Sequence, residues 1–167
     1  MSRTICFCVA VIYLLSQHAV MAQVMNKKLT GQSFTGEITV SAGPEAVWAV
    51  LTDMQKLSKA MGYEYKGTPL KFTKPGDHAK LTIWGDSGAY VLIYSKSGEE
   101  LRFLWEPDNA SYLCQQRWRL AAAGKGTKII FEERYTESGA QSEADIAAQV
   151  KAYNEALVRL KTSCEGK

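Results

Sequence analysis

Histidine is nearly absent from this 167-residue chain, which has two, His18 and His78. Cysteine is sparse as well, at four. Lysine and arginine exceed the acids by only three and nowhere gather into a basic block. Each scarcity removes a class of function. A Ser-His-Asp triad would have to use a histidine, and no His or Cys pair has the spacing of metal ligands. A nucleic-acid backbone asks for a basic stripe that this charge does not supply. The GDSG and GKG runs lack the strand–loop–helix context of a phosphate loop. No apolar run approaches the ~20 residues of a spanning helix.

What is present is the composition of an ordinary globular protein, 46% hydrophobic and 22% charged. There are no repeats, no low-complexity tract and no internal linker, so one domain with a sizeable core is expected. Residues 1–22 stand apart. Arg3 precedes an apolar run from Ile5 to Leu15, and Val20-Met21-Ala22 ends it with Ala at the last position before a cut at Gln23. That is the layout of a secretory signal peptide. A lipoprotein anchor would need Cys where Gln23 stands. The mature chain is then Gln23–Lys167, exported to the periplasm or secreted, with 23–32 a flexible lead. It keeps one histidine, His78, and two cysteines. Cys114 and Cys164 are candidates for a disulfide in an oxidising compartment, or two small buried thiols.

Periodicity then lays out the domain, 33–163. Phe34, Gly36, Ile38 and Val40 alternate with polar residues, the period of a half-buried strand. Pro44 suits a first helical turn, and Ala46, Val47, Val50 and Leu51 make one apolar face. Met54 to Met61 reads as a second short helix. Strand follows strand from Tyr63 to Tyr135: a weak one at Tyr63–Lys66, then Ala79–Trp84, Ala89–Ser95, Leu101–Trp105, Tyr112–Leu120 and Thr127–Tyr135. Gly85 and Gly88 are expected to bracket the first tight turn. Ser142 to Thr162 is one long helix, capped by Ser142. Its stripe of Ile146, Val150, Tyr153, Leu157 and Leu160 should be buried.

This order predicts an α+β domain in which a curved antiparallel sheet of about seven strands wraps a long C-terminal helix. Two short helices follow the first strand and plug one end. A sheet that grips a helix tends to enclose a cavity. On PEAVWAVLTDMQKL after the first strand, RWRLAAAGKGTKIIFEERY for the last two strands and the closing helix, the chain resembles the START-like superfamily, the polyketide cyclase/dehydrase and lipid-transport group. The resemblance implies a helix-grip fold and a pocket for a small, largely apolar molecule.

The polar residues on faces expected to look into that cavity are Tyr112, Gln116 and Glu133, with Tyr153 from the helix. A buried Glu133 must serve a ligand or be tied to a neighbour; otherwise it sits wet near its strand end. Trp118 shares the inner face, as core packing or as a pocket wall. His78 and Trp84 are out of phase with Ala79, Leu81 and Ile83 and should point outward. Asn109-Ala110-Ser111 is a glycosylation sequon only in a eukaryotic source. The expectation is an exported binding protein for a hydrophobic or amphipathic small molecule, with no cofactor, metal, nucleic-acid partner or membrane span. The alternatives are a cyclase or dehydratase using Glu133, Tyr112 or Tyr153 for acid–base work, and a protein-docking module.

Overall fold

The computed structural model describes residues 31–136 and 142–166; the expected signal peptide and most of the lead lie outside them. Strand β1, Gly31–Val40, is followed by helices α1, Pro44–Leu51, and α2, Met54–Met61. Five strands then run in succession: β2 His78–Ile83, β3 Asp86–Lys96, β4 Glu100–Pro107, β5 Leu113–Ala123 and β6 Gly126–Thr136. Helix α3, Glu143–Glu165, closes the domain. The strands form one antiparallel sheet in the order β1-β6-β5-β4-β3-β2. Consecutive strands β1 and β2 therefore stand at opposite edges, and the two short helices lie on the path between them.

Local chemistry explains the boundaries. Pro44 occupies the first turn of α1, where its missing N–H costs nothing. Asp53 caps α2 by accepting from the amides of Gln55 and Lys56 at 3.1 and 3.2 Å. Gly62 ends that helix at φ +78, a left-handed position that suits glycine. Ser142 caps α3 through the Asp145 amide, and Asp145 reaches back to the Ser142 hydroxyl at 2.6 Å.

The core lies between the sheet's inner face, the two short helices and the C-terminal half of α3. Val47, Leu51, Met54 and Leu57 from α1 and α2 meet Leu101, Phe103, Trp118, Ile129 and Leu160, all fully buried. Gly36 lets α3 approach β1 closely: a Cβ there would lie 2.8 Å from the Leu157 methyl. Arg159 Nε donates to the Ala60 carbonyl at 2.9 Å, tying α3 to the end of α2. Glu165 accepts from the Ser41 amide and hydroxyl at 2.9 and 3.0 Å.

Three expectations need correcting, and one pair of open alternatives is resolved. The sheet has six strands, not seven: Tyr63–Lys66 pairs with β2 as an isolated bridge, the reciprocal pair Glu64–Thr82, and forms no strand. Gly67 and Pro69 follow directly, and proline has no amide to continue a ladder. The β2–β3 turn is Trp84-Gly85, with Ile83 paired to Asp86, rather than a turn bracketed by Gly85 and Gly88. Helix α3 buries its stripe only in its second half. Ala156, Leu157, Leu160 and Cys164 are covered, whereas Val150 is 43% exposed and Ile146 is half-buried. Finally, Cys114 and Cys164 are separate free thiols, both buried.

Candidate functional site

Register builds the site. Across the inner face, Tyr90, Trp105, Cys114 and Tyr135 fall in one cross-strand row; Leu92, Phe103, Gln116, Glu133 and Phe34 fall in the next. Successive side chains on a strand alternate faces, so these two rows, two residues apart, share one surface. Where α3 stops pressing on the sheet, its first half overhangs these rows and leaves a cavity of about 190 Å³. From α3, Tyr153 and Gln149 line it. The β2–β3 hairpin adds Ile83, Trp84 and Asp86; Trp105 comes from β4, Tyr112, Cys114 and Gln116 from in and just before β5, and Glu133 and Tyr135 from β6.

Glu133 is the hub. Only 6% exposed, it is not the wet strand-end residue allowed for above. Its Oε1 accepts from the Cys114 thiol at 2.8 Å, and its Oε2 from Gln116 Nε2 at 3.3 Å and from the Tyr153 hydroxyl. Gln116 is itself fully engaged: Nε2 also donates to the Tyr63 hydroxyl at 2.8 Å, and Oε1 accepts from the Tyr90 hydroxyl at 2.7 Å. Burial pushes the Glu133 carboxyl above the ordinary range, and the three donors only partly offset that. Burial, then the Glu133 charge, drives the Tyr153 and Cys114 hydrogens to much higher pH. Tyr63 and Tyr90 are raised by burial in the same way. The three tyrosines and Cys114 therefore keep their hydrogens, and Cys114 is a hydrogen-bond donor rather than a nucleophile.

At the cavity mouth Tyr112 accepts from Trp105 Nε1 at 3.2 Å and donates to Asp86 at 3.1 Å, which fixes its ring. Burial raises its hydroxyl to about 12. Trp84, half exposed, has φ +52, and its ring centroid lies 5.4 Å from that of Tyr153. Both turn residues have positive φ, as two-residue hairpins of this type require, but Asn or Gly normally fills the first position. A tryptophan there is strained, and such strain concentrates where function needs a side chain in one place.

Four of the residues singled out from sequence, Tyr112, Gln116, Glu133 and Tyr153, thus line a single cavity. Trp118 does not. It is fully buried against Phe131, with ring centroids 4.4 Å apart. Cys164 is at the other end of α3, where burial lifts its thiol to about 11. His78 is exposed, as expected. Trp84, expected to point outward, instead reaches the cavity, and Asp86 went unread, because the alternation of β2 does not survive the turn: positive φ at Trp84 swings its side chain over the mouth. Trp105 and Tyr135 were legible as inner-face residues, but not as cavity walls. Among the described residues no group of acids, His and Cys could hold a metal ion, and no helix is long and apolar enough to cross a membrane.

No family model and no curated protein matches the chain. Solved structures do. Protein CV1439 from Chromobacterium violaceum aligns with a TM-score of 0.64 at 17% identity, over 80% of this chain and 96% of that one. CalU16 from Micromonospora echinospora aligns at 0.58 and 19% identity, over 80% and 76%. Ara h 8.0201 aligns at 0.57 and 15% identity, over 82% and 97%. At such identities the likeness is one of fold alone, and that fold is the helix grip: a six-stranded antiparallel sheet, two short helices and a long C-terminal helix.

Proposed function

We propose that this chain is an exported binding protein that holds a small amphipathic molecule between the sheet and the first half of α3. The observation that carries the reading is the cavity itself. It is walled by aromatic rings and floored by a buried carboxyl whose hydrogen-bond partners are all neutral. Pockets for small molecules have this mixture of apolar walls and a few placed polar groups. At about 190 Å³ it falls below the ~300–1,000 Å³ of pockets for drug-sized ligands, so it suits one ring and a short arm rather than a long acyl chain. Export rests on the signal-like segment 1–22.

Native mass spectrometry of the full chain, expressed in an exporting host, tests both parts. The expected result is a mature mass beginning at Gln23 with a small adduct that is lost on denaturation. An unprocessed chain would overturn export. An apo mass, together with failure to bind any small aromatic probe, would overturn the binding role. A second reading is acid–base chemistry on a bound molecule, favoured by the hydrogen bond between Glu133 and Tyr153 at the cavity wall. Conversion of a bound adduct by wild type but not by Glu133→Gln would favour it over simple carriage.

A further inference from the structure

We propose that the molecule held in this cavity is an organic amine in its ammonium form, seated against Glu133 and Asp86 among the surrounding rings. The proposal rests on the binding role above and names its ligand class. The charge of the wall is its first support. Among the described residues two carboxyl side chains, Asp86 and Glu133, line the cavity, and no lysine, arginine or histidine does. The arginines of β5 are spent elsewhere: Arg117 pairs with Glu100 and Glu132, and Arg119 with Glu132, on the opposite face of the sheet. Among these described wall residues an anionic ligand would meet two acids and no counter-charge.

The aromatic lining is the second support. Trp84, Trp105, Tyr112, Tyr135 and Tyr153 contribute five rings. Ring faces attract cations, most of all tryptophan's, and the attraction grows as water is excluded. A carboxylate with aromatic walls is a better host for an ammonium group than for a neutral head, because both features act on the charge.

The third support is the state of Glu133 before anything binds. A buried carboxyl with no cation beside it costs stability. Its three donors leave one lone pair, on Oε1, free to accept from a ligand's N–H. A buried ion pair is favourable only when further hydrogen bonds satisfy its members, and here three are already in place. Asp86, held by Tyr112, stands at the mouth, where a second acid draws a cation inward.

Three probes with one ring and different heads decide the matter: 2-phenylethylamine, 2-phenylethanol and 3-phenylpropionate, each titrated by calorimetry at pH 7.5. The amine should bind at least tenfold tighter than the alcohol, and the acid not measurably. Glu133→Gln should erase the preference of amine over alcohol, and Asp86→Asn, titrated alongside it, should reduce that preference. Equal affinity for amine and alcohol would overturn the ammonium assignment and leave the binding role standing. Tightest binding of the acid would do the same. If none of the three binds and the native mass shows no adduct, both readings fall together.

Discussion

Trp84 offers a way to separate the energy of a side chain from the energy of its backbone. Replacing it with alanine or with glycine removes the same ring. Half of that ring is buried, so either change forfeits roughly 100 Å², a ceiling of about 2.5 kcal/mol. The two differ only in what they leave at φ +52. Alanine keeps a Cβ in the left-handed region, at a penalty of about 1–2 kcal/mol that glycine escapes. Glycine gives back about 0.4–1 kcal/mol because its unfolded chain is freer. Trp84→Gly should therefore be the more stable variant by about 0.5–1 kcal/mol, or about 2–4 °C in Tm for a domain of this size. Thermal unfolding followed by circular dichroism at pH 7 reads the difference. Both variants should lose 2-phenylethylamine affinity equally, since both lack the ring. If Trp84→Ala proves as stable as Trp84→Gly, the turn is not strained and the argument that the hairpin keeps tryptophan there for the cavity fails.

Three further outcomes follow from the same geometry. Because burial raises the Glu133 carboxyl, the folded state holds that proton more tightly than the unfolded chain does. Its contribution to stability is complete below about pH 4.3 and is lost as pH climbs through the folded value, by up to about 1.4 kcal/mol per pH unit inside that window. Glu133→Gln should thus gain on wild type from pH 4 to pH 8 in urea unfolding, and a constant offset would contradict the assignment. Asp53→Ala leaves two amides of α2 uncapped and should cost about 1 kcal/mol in the same assay, with no effect expected if water serves those amides equally well. Cys114 and Cys164 should both alkylate with iodoacetamide in unfolded, unreduced protein and resist it when folded; a mass two hydrogens light, mapped to their peptides, would show them bonded.

Much of the fold was legible because its elements announce themselves locally. Asp53 and Gly62 bracket α2, and the predicted bounds Met54–Met61 match the helix. Strand β5 reads plainly because Cys114, Gln116 and Trp118 alternate with Gln115, Arg117 and Arg119, and that period survives folding intact. The site was half legible for the same reason: Gln116 and Glu133 had to face inward by phase. What escaped depends on contacts far apart in the chain. The stripe on α3 carries the same apolar signal at Val150 as at Leu157, but only the second half finds a sheet to cover it. No local pattern says where that coverage ends, and the cavity lies at that point. Trp84 escaped through a backbone angle, and Glu133's lack of a cation among the described residues shows only once the wall is assembled.

The placing of β1 at the far side of β6 has a kinetic consequence. Its ten residues, Gly31 to Val40, pair only with Thr127 to Thr136, roughly a hundred residues later. Closing so long a loop costs entropy before any contact repays it, and topologies dominated by such pairings fold slowly. During synthesis the first strand made must wait, unpartnered, for the last. Strands β2 to β5 can zip as successive hairpins while β1 still dangles, and α3, which packs against β1 at Gly36, cannot seat until that strand has found its place. The sheet stays open at that edge until β6 has been made, a property that would suit the proposed export, in which a polypeptide is threaded before it is folded.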